Sequence, residues 1–243
     1  MCYSAQIAAN ARIIATRTGE PYEEVLKRIG GAQMRRWTTA FGRPQLPLLF
    51  DRGEASLASW TFLAPWVHED EVMAQTAKTG VCRAEEMFEK KTFQAAARER
   101  RGVIALEAYF EHQHRGKTKV PYRFYRPDGE IFFVGCVWQT WRDEVTFAVC
   151  TMPPSRLAAW IHNNPQNASG PRQPVILRTP EEVQQWLAGG GPESVADLLQ
   201  VREDGFLVAE ETENQSGVRD PAPPPEPPNK PDGVVTKGQL ELF

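Results

Sequence analysis

Cysteine stands second in this chain, in the run Met1-Cys2-Tyr3-Ser4-Ala5-Gln6. A methionine before so small a side chain is a substrate for aminopeptidase removal. Once Met1 is gone, Cys2 carries an α-amine and a thiol on one residue. Such a 1,2-aminothiol condenses with an aldehyde to a Schiff base, and the thiol then closes on the imine to give a thiazolidine ring. An α-amine titrates at about 7.7–8.0 and a free thiol at about 8.5, so both nucleophiles are partly available near neutrality. With Met1 retained, the nitrogen is an amide and this chemistry is closed. Taken alone, Cys2 reads first as an incidental residue in a disordered start.

The other candidates are weaker. Cys82, Cys136 and Cys150 are widely spaced and form no Cys-x-x-Cys, which fits neither a secreted disulfide framework nor a zinc site. Cys136 and Cys150 lie in apolar, strand-like runs and read as reduced core residues. His112 and His114 flank Gln113, but no third ligand stands at a metal-binding spacing. No metal and no other cofactor is expected.

The elements that must position these residues are mostly strands. Residues 6–16 read as a helix, and 21–29 as a second one with Pro21 near its start. Apolar pieces at 46–50 and 59–63 look like strands, and 84–97 is a polar helical stretch. Strands are then expected at 102–110, 121–125, 131–138 and 145–151, with a turn at 126–130 suggesting a hairpin. A short helix over 155–161 has Ser155 as its cap and ends at His162. After a strand at 174–177, Thr179-Pro180-Glu181-Glu182 is a capping box with Pro at N1, launching a helix to about 187. A short helix at 194–199 and a strand at 206–208 follow. Strands outnumber helices and turns join most of them. The fold class is therefore α+β: one domain over 1–209, a mainly antiparallel, barrel-like sheet flanked by helices.

The chain has 243 residues, 41% of them hydrophobic, enough for a sizeable core. The formal charge is -3, and residues 210–243 carry -4 of it, which leaves the body at +1 with basic clusters at Arg35-Arg36 and Arg98-Glu99-Arg100-Arg101. A faintly positive body leaves room for a phosphate-binding groove. No apolar run approaches the length of a membrane span, and the start lacks the basic and apolar regions of a signal peptide. A cytoplasmic, nucleoid-associated protein with no membrane partner is expected.

Residues 210–243 differ in kind. Seven of the eleven residues from 221 to 231 are proline, a composition that favours extended polyproline geometry and a disordered tail. Beyond it stands Gln239-Leu240-Glu241-Leu242-Phe243. Leu242 and Phe243 are apolar anchors on a tether, and Gln239 is a polar hook. The run resembles the Gln-Leu-x-Leu-Phe peptide by which bacterial repair proteins and polymerases bind the sliding clamp. The resemblance implies a clamp contact through Gln239, Leu240, Leu242 and Phe243 in a bacterial or phage replication context.

Several segments together resemble the SOS-response-associated peptidases, or abasic-site processing proteins. Cys2 behind Met1 is the family's start. Trp60-Thr61-Phe62-Leu63-Ala64-Pro65-Trp66 is similar to its Trp-Gly-Leu-Ile-Pro-x-Trp segment. Val81-Cys82-Arg83-Ala84-Glu85-Glu86-Met87-Phe88-Glu89-Lys90 is similar to Asn-Ala-Arg-x-Glu-Thr-x-Phe-Glu-Lys. The run from Arg101 to His112 resembles Arg-Cys-Leu-x-Pro-x-Asp-Gly-Phe-Tyr-Glu-Trp. His162, with Arg172-Gln173-Pro174-Val175-Ile176-Leu177 after an insertion, resembles His-x-Arg-Met-Pro-Val-Ile-Leu. The likeness covers roughly residues 1 to 190.

The resemblance implies a DNA-damage protein that captures the open aldehyde of an abasic site in single-stranded DNA as a thiazolidine crosslink. Cys2 would be the nucleophile, with Glu111 and His162 in the positions of the catalytic glutamate and histidine. Ring opening and loss of water from the Schiff base are acid-assisted, which suits a carboxyl group, and an imidazole can move protons or hold the sugar oxygen. Trp60 and Trp66 correspond to tryptophans that stack on bases and wedge the strand, and Arg83 and Arg172 to arginines near phosphates. Three departures stand out. Val81 replaces an asparagine that hydrogen-bonds near the crosslink, leaving Asn163 and Asn164 as candidates to replace it. Ser4 replaces a basic residue, and Leu106 and Ala108 replace Pro and Gly before Glu111. Two other readings stay open: a cysteine peptidase that removes its own Met1, with His162 as base, and a non-enzymatic clamp adaptor.

Overall fold

The computed structural model describes residues 4–6, 38–50, 55–212 and 232–235. In chain order the strands are β1 (Ser4–Gln6), β2 (Thr38–Thr39), β3 (Gln45–Leu49), β4 (Ala55–Trp60), β5 (Val81–Arg83), β6 (Arg101–Leu106) and β7 (Ala108–Arg115). They continue with β8 (Thr118–Tyr125), β9 (Phe132–Trp141), β10 (Glu144–Met152), β11 (Gln173–Pro174), β12 (Ile176–Leu177), β13 (Val208–Glu211) and β14 (Val234–Val235). The α-helices are α1 (Val72–Thr79), α2 (Gln94–Glu99), α3 (Arg156–Ile161) and α4 (Pro180–Leu187).

Strands β10, β4, β3, β6 and β9 pair in that order, and β9 pairs back onto β10. The ring closes into a five-stranded barrel, mixed because β4 and β10 run parallel. Closure leaves no free edge among those five. The second sheet has the order β14-β13-β8-β7-β1-β2. The expected α+β class with a barrel-like, mainly antiparallel sheet is the class observed.

Burial follows from this layering. In β8 the side chains of Val120, Tyr122 and Phe124 turn inward while their neighbours stay partly exposed, the period of two of a half-buried strand. They meet Trp60, Tyr109, Phe132 and Phe147 in one cluster. A second cluster lies under α2 and α4 and holds Phe62, Met87, Phe88, Phe93 and Trp186. The indole N–H of Trp186 donates to the carbonyls of Gly102 and Cys136 at 3.1 and 3.2 Å. Gly135 permits that approach, since a Cβ there would come within 2.8 Å of the indole.

Several expectations need correction. Residues 102–110 are not one strand. The chain bends at Glu107, so β6 belongs to the barrel and β7 to the second sheet. The turn at 126–130 is present, with Gly129 at φ 74 and its N–H donating to the Arg126 carbonyl at 3.0 Å. It joins β8 and β9, which lie in different sheets, so it is not a hairpin. Residues 84–93 wind through turns, with helix only at Gln94–Glu99, because Met87, Phe88 and Phe93 are drawn into the core. The strand from 59 ends at Trp60. The helix placed at 194–199 is a 3-10 turn over Pro192–Val195.

The domain also continues past residue 209. β13 runs to Glu211, and β14 pairs parallel to it, Ala209 opposite Val234, so part of the segment expected to be disordered is in the sheet. Gln6 lies in β1 rather than in a helix. The rest of the two N-terminal helices, Cys2, and the peptide Gln239, Leu240, Leu242 and Phe243 lie outside the described residues.

Candidate active site

Strand β7 and helix α3 bring two titratable side chains together. β7 is held on both edges, by β8 with Glu111 opposite Tyr122 and by β1 with Phe110 opposite Ser4. Side chains two apart share a strand face, so Glu111 points with Tyr109, Gln113 and Arg115 into the protein. Ser155 caps α3 by accepting from the Ala158 N–H at 3.2 Å. His162 ends it, its N–H donating to the Ala158 carbonyl.

Two residues tie the end of α3 to β7. The Gln113 amide donates to the Trp160 carbonyl at 3.1 Å. Asn163 accepts from the His114 N–H at 2.7 Å and donates to the His114 carbonyl at 3.2 Å. The outcome is His162 Nδ1 at 3.9 Å from Glu111 Oε1, both residues 5% exposed. That separation is too long for a direct hydrogen bond but short enough for both groups to address one reacting atom. The far edge of the ring, Nε2, lies 3.3 Å from the Asn167 amide nitrogen.

The remaining candidates divide. Trp66 is 53% exposed, with Lys91 Nζ 5.2 Å from its ring centre, and is free to meet a base. Arg83 is half-exposed and pairs with Glu86 at 2.8 Å. Trp60 is corrected to a core residue. It is wholly buried, stacks on Phe147 and donates its indole N–H to the Gly80 carbonyl at 2.8 Å, so no base can reach it. Arg172 is likewise corrected. Its buried guanidinium grips both oxygens of Glu85 at 2.6 Å and bonds Thr151 at Oγ1 and at the carbonyl. A phosphate would have to displace that carboxylate.

Val81 is on β5, paired with Val149 of β10. Of the proposed replacements for the missing asparagine, Asn163 is spent on β7, and Asn164 accepts from the Gln166 N–H. The amide that reaches His162 belongs to Asn167, which sequence reasoning missed. The only hint was an insertion between His162 and Arg172 that carries three asparagines.

Among the described residues no three His, Cys, Asp or Glu side chains are grouped to hold a metal, and no helix is long and apolar enough to cross a membrane. Cys82, Cys136 and Cys150 are buried. Burial pushes the Cys82 thiol well above its usual range, and its neighbour Cys150 adds to the effect. His114 is held below the usual imidazole range by lost hydration, then by Lys119 and His162.

The sequence profile of the family described as SOS response associated peptidase (SRAP) matches residues 1–214. The chain is similar to the abasic site processing protein HMCES of Xenopus tropicalis, 25% identical over 166 residues, 58% of this chain and 47% of that protein. It is also similar to an abasic site processing protein of Saccharomyces cerevisiae, 29% identical over 117 residues, 47% of this chain and 30% of that protein. The chain therefore spans less than half the length of these curated relatives. Among solved structures, a Bacteroides thetaiotaomicron protein superposes with a TM-score of 0.73 at 26% identity, covering 88% of this chain and 93% of that one. A Bordetella bronchiseptica protein superposes at 0.70 and 19% identity over 88% and 100%, a likeness of fold alone.

Proposed function

Because this chain belongs to the SOS response associated peptidase (SRAP) family, we propose that it processes abasic sites in single-stranded DNA by covalent capture on Cys2. The curated relatives are named for abasic site processing, and that role is the one carried over. Removal of Met1 frees the Cys2 amine. The amine adds to the C1 aldehyde of the ring-opened sugar, and water leaves to give a Schiff base. The Cys2 thiolate then adds to the imine carbon while the nitrogen takes a proton, closing a thiazolidine.

The observation that carries this reading is the buried pair Glu111 and His162 beside the anchored start of the chain. Ser4 is paired with Phe110, the neighbour of Glu111. Cys2 precedes Ser4 by two residues, a reach of at most about 7 Å when extended, and that short tether supports reading Cys2 as the nucleophile the pair serves. Glu111 serves as the acid that protonates the sugar ring oxygen and then the leaving hydroxyl. His162 exchanges protons with it or holds the opened sugar oxygen. Trp66 offers a stacking face and Arg83 a phosphate contact, neither of which reads sequence. The peptide Gln239-Leu240-Glu241-Leu242-Phe243 would add a sliding clamp as a second partner, tested by clamp binding that needs residues 239–243.

The test is intact mass and denaturing gel after incubation with uracil-excised single-stranded DNA. The wild-type protein, lacking Met1, should gain the mass of the oligonucleotide less one water, and Cys2→Ala should gain nothing. An adduct that persists in Cys2→Ala sinks the proposal.

A further inference from the structure

We infer that Asn167 is a positioning residue that fixes His162 in the tautomer with its proton on Nδ1, the edge that faces Glu111. The inference deepens the reading of this site as a proton-handling pair and rests on it for its catalytic consequence.

The orientation of the Asn167 amide is set independently of the histidine. Its Oδ1 accepts from the Ser169 N–H at 3.1 Å, and its Nδ2 donates to the Gly170 carbonyl at 2.6 Å. Turning the amide over would set oxygen against oxygen at Gly170 and N–H against N–H at Ser169. The loop is braced around it, because the Asn167 N–H donates to the Asn164 carbonyl and the Gly170 N–H to the Asn167 carbonyl. Gly170, at φ 69, supplies the left-handed turn that brings its carbonyl back. The NH2 group therefore faces His162 Nε2 at 3.3 Å, and only a lone pair there can accept from it.

At the other edge, Nδ1 lies 3.1 Å from both the carbonyl oxygen and the N–H nitrogen of Arg172. A proton on Nδ1 donates to that carbonyl and leaves the Arg172 N–H opposed. A proton on Nε2 instead satisfies the Arg172 N–H, but sets two donors against each other at Asn167 and leaves the Arg172 carbonyl without the ring. The first arrangement keeps two of the three contacts and the second keeps one. The ring thus carries its proton on the edge nearer Glu111, held by the Arg172 carbonyl, with its basic nitrogen turned to the loop.

Nitrogen-15 spectra of histidine-labelled protein, without DNA, test the assignment. His162→Gln identifies the signal. The wild type should show a neutral ring protonated at Nδ1. Asn167→Ala should move it toward the Nε2-protonated form, which imidazole favours in water and whose Nδ1 lone pair accepts from the Arg172 N–H. A wild-type ring protonated at Nε2 or at both nitrogens, or a signal unmoved in Asn167→Ala, overturns the inference. Crosslinking to abasic single-stranded DNA reads the consequence: Asn167→Ala should slow adduct formation several-fold with substrate binding unchanged, and an unchanged rate would overturn the catalytic part. If the wild type forms no adduct, the proposed function fails while the spectra still decide the tautomer.

Discussion

Glu111 on β7 and His162 at the end of α3 face each other across 3.9 Å, both buried, because Gln113 and Asn163 pin the helix end to the strand. Glu111→Gln keeps the shape and removes the acid. Adduct formation should slow by about 10²–10⁴-fold, the range for loss of one general acid or base. Thermal unfolding should shift little. Single-turnover gels across time read the rate, and one within a few-fold of wild type would take Glu111 out of the chemistry.

The two tryptophans of the 60–66 segment should separate cleanly. Trp60→Ala empties a wholly buried site and removes the bond to Gly80, so it should cost about 3–5 kcal/mol of stability by denaturant unfolding. Trp66 is 53% exposed, so Trp66→Ala should leave stability within about 0.5 kcal/mol. It should weaken single-stranded DNA binding by about 1–3 kcal/mol in a fluorescence titration. Equal effects of the two changes on binding would mean that neither stacks on a base.

Much of this was legible in the sequence, and the failures share a cause. Ser155, Thr179 and Pro180 announced their helices because capping is local, a matter of one side chain and a backbone N–H three residues on. Even there, the Glu182 carboxylate reaches back to the N–H of Arg178, one residue before the capping threonine. Trp60 and Arg172 carried the right residue types for a DNA surface, yet their fates were decided by Gly80, Phe147, Glu85 and Thr151, partners distant in the chain. The bend at Glu107 left no mark because β6 and β7 are both apolar on either side of it. Asn167 was invisible for the same reason as the barrel closure: its meaning depends on which ring it meets.

Arg83 and Arg172 should differ in what salt does to binding. Arg83→Ala removes a half-exposed charge, and the slope of log affinity against log salt should shrink by about 0.7, the value for one phosphate on a single strand. Arg172→Met removes one of the two donors to the Thr151 carbonyl, which keeps the Ala84 N–H, and leaves Glu85 without its pair, which should cost about 1–3 kcal/mol of stability. Its salt slope should match wild type. A shallower slope in Arg172→Met would return that residue to the phosphate path.

The buried cysteines should be inert in the native protein. Cys82 and Cys150 are neighbours on β5 and β10, nearly without solvent contact, and burial with the Cys150 thiol beside it pushes the Cys82 thiol up. A thiol that is both shielded and seldom ionised alkylates slowly. Iodoacetamide near pH 8 should leave Cys82, Cys136 and Cys150 unmodified in native protein and label all three in urea, read by peptide mass. Rapid native labelling of Cys82 would contradict its position in the sheet.

His114 makes stability fall on the acid side. Lost hydration, with Lys119 and His162 nearby, holds its folded-state titration below that of an unfolded histidine, which lies at about 6.5. Above that pH both states are neutral and the residue contributes no slope. As pH drops below about 6.5 the unfolded chain takes the proton first, so unfolding becomes easier until the folded form also titrates. His114→Gln should flatten this limb, and its backbone bonds to Asn163 are untouched by the change. Urea midpoints between about pH 5.5 and 7.5 should therefore decline more steeply in wild type than in the variant. Parallel declines would show that the ring is as well hydrated in the folded protein as in the unfolded chain.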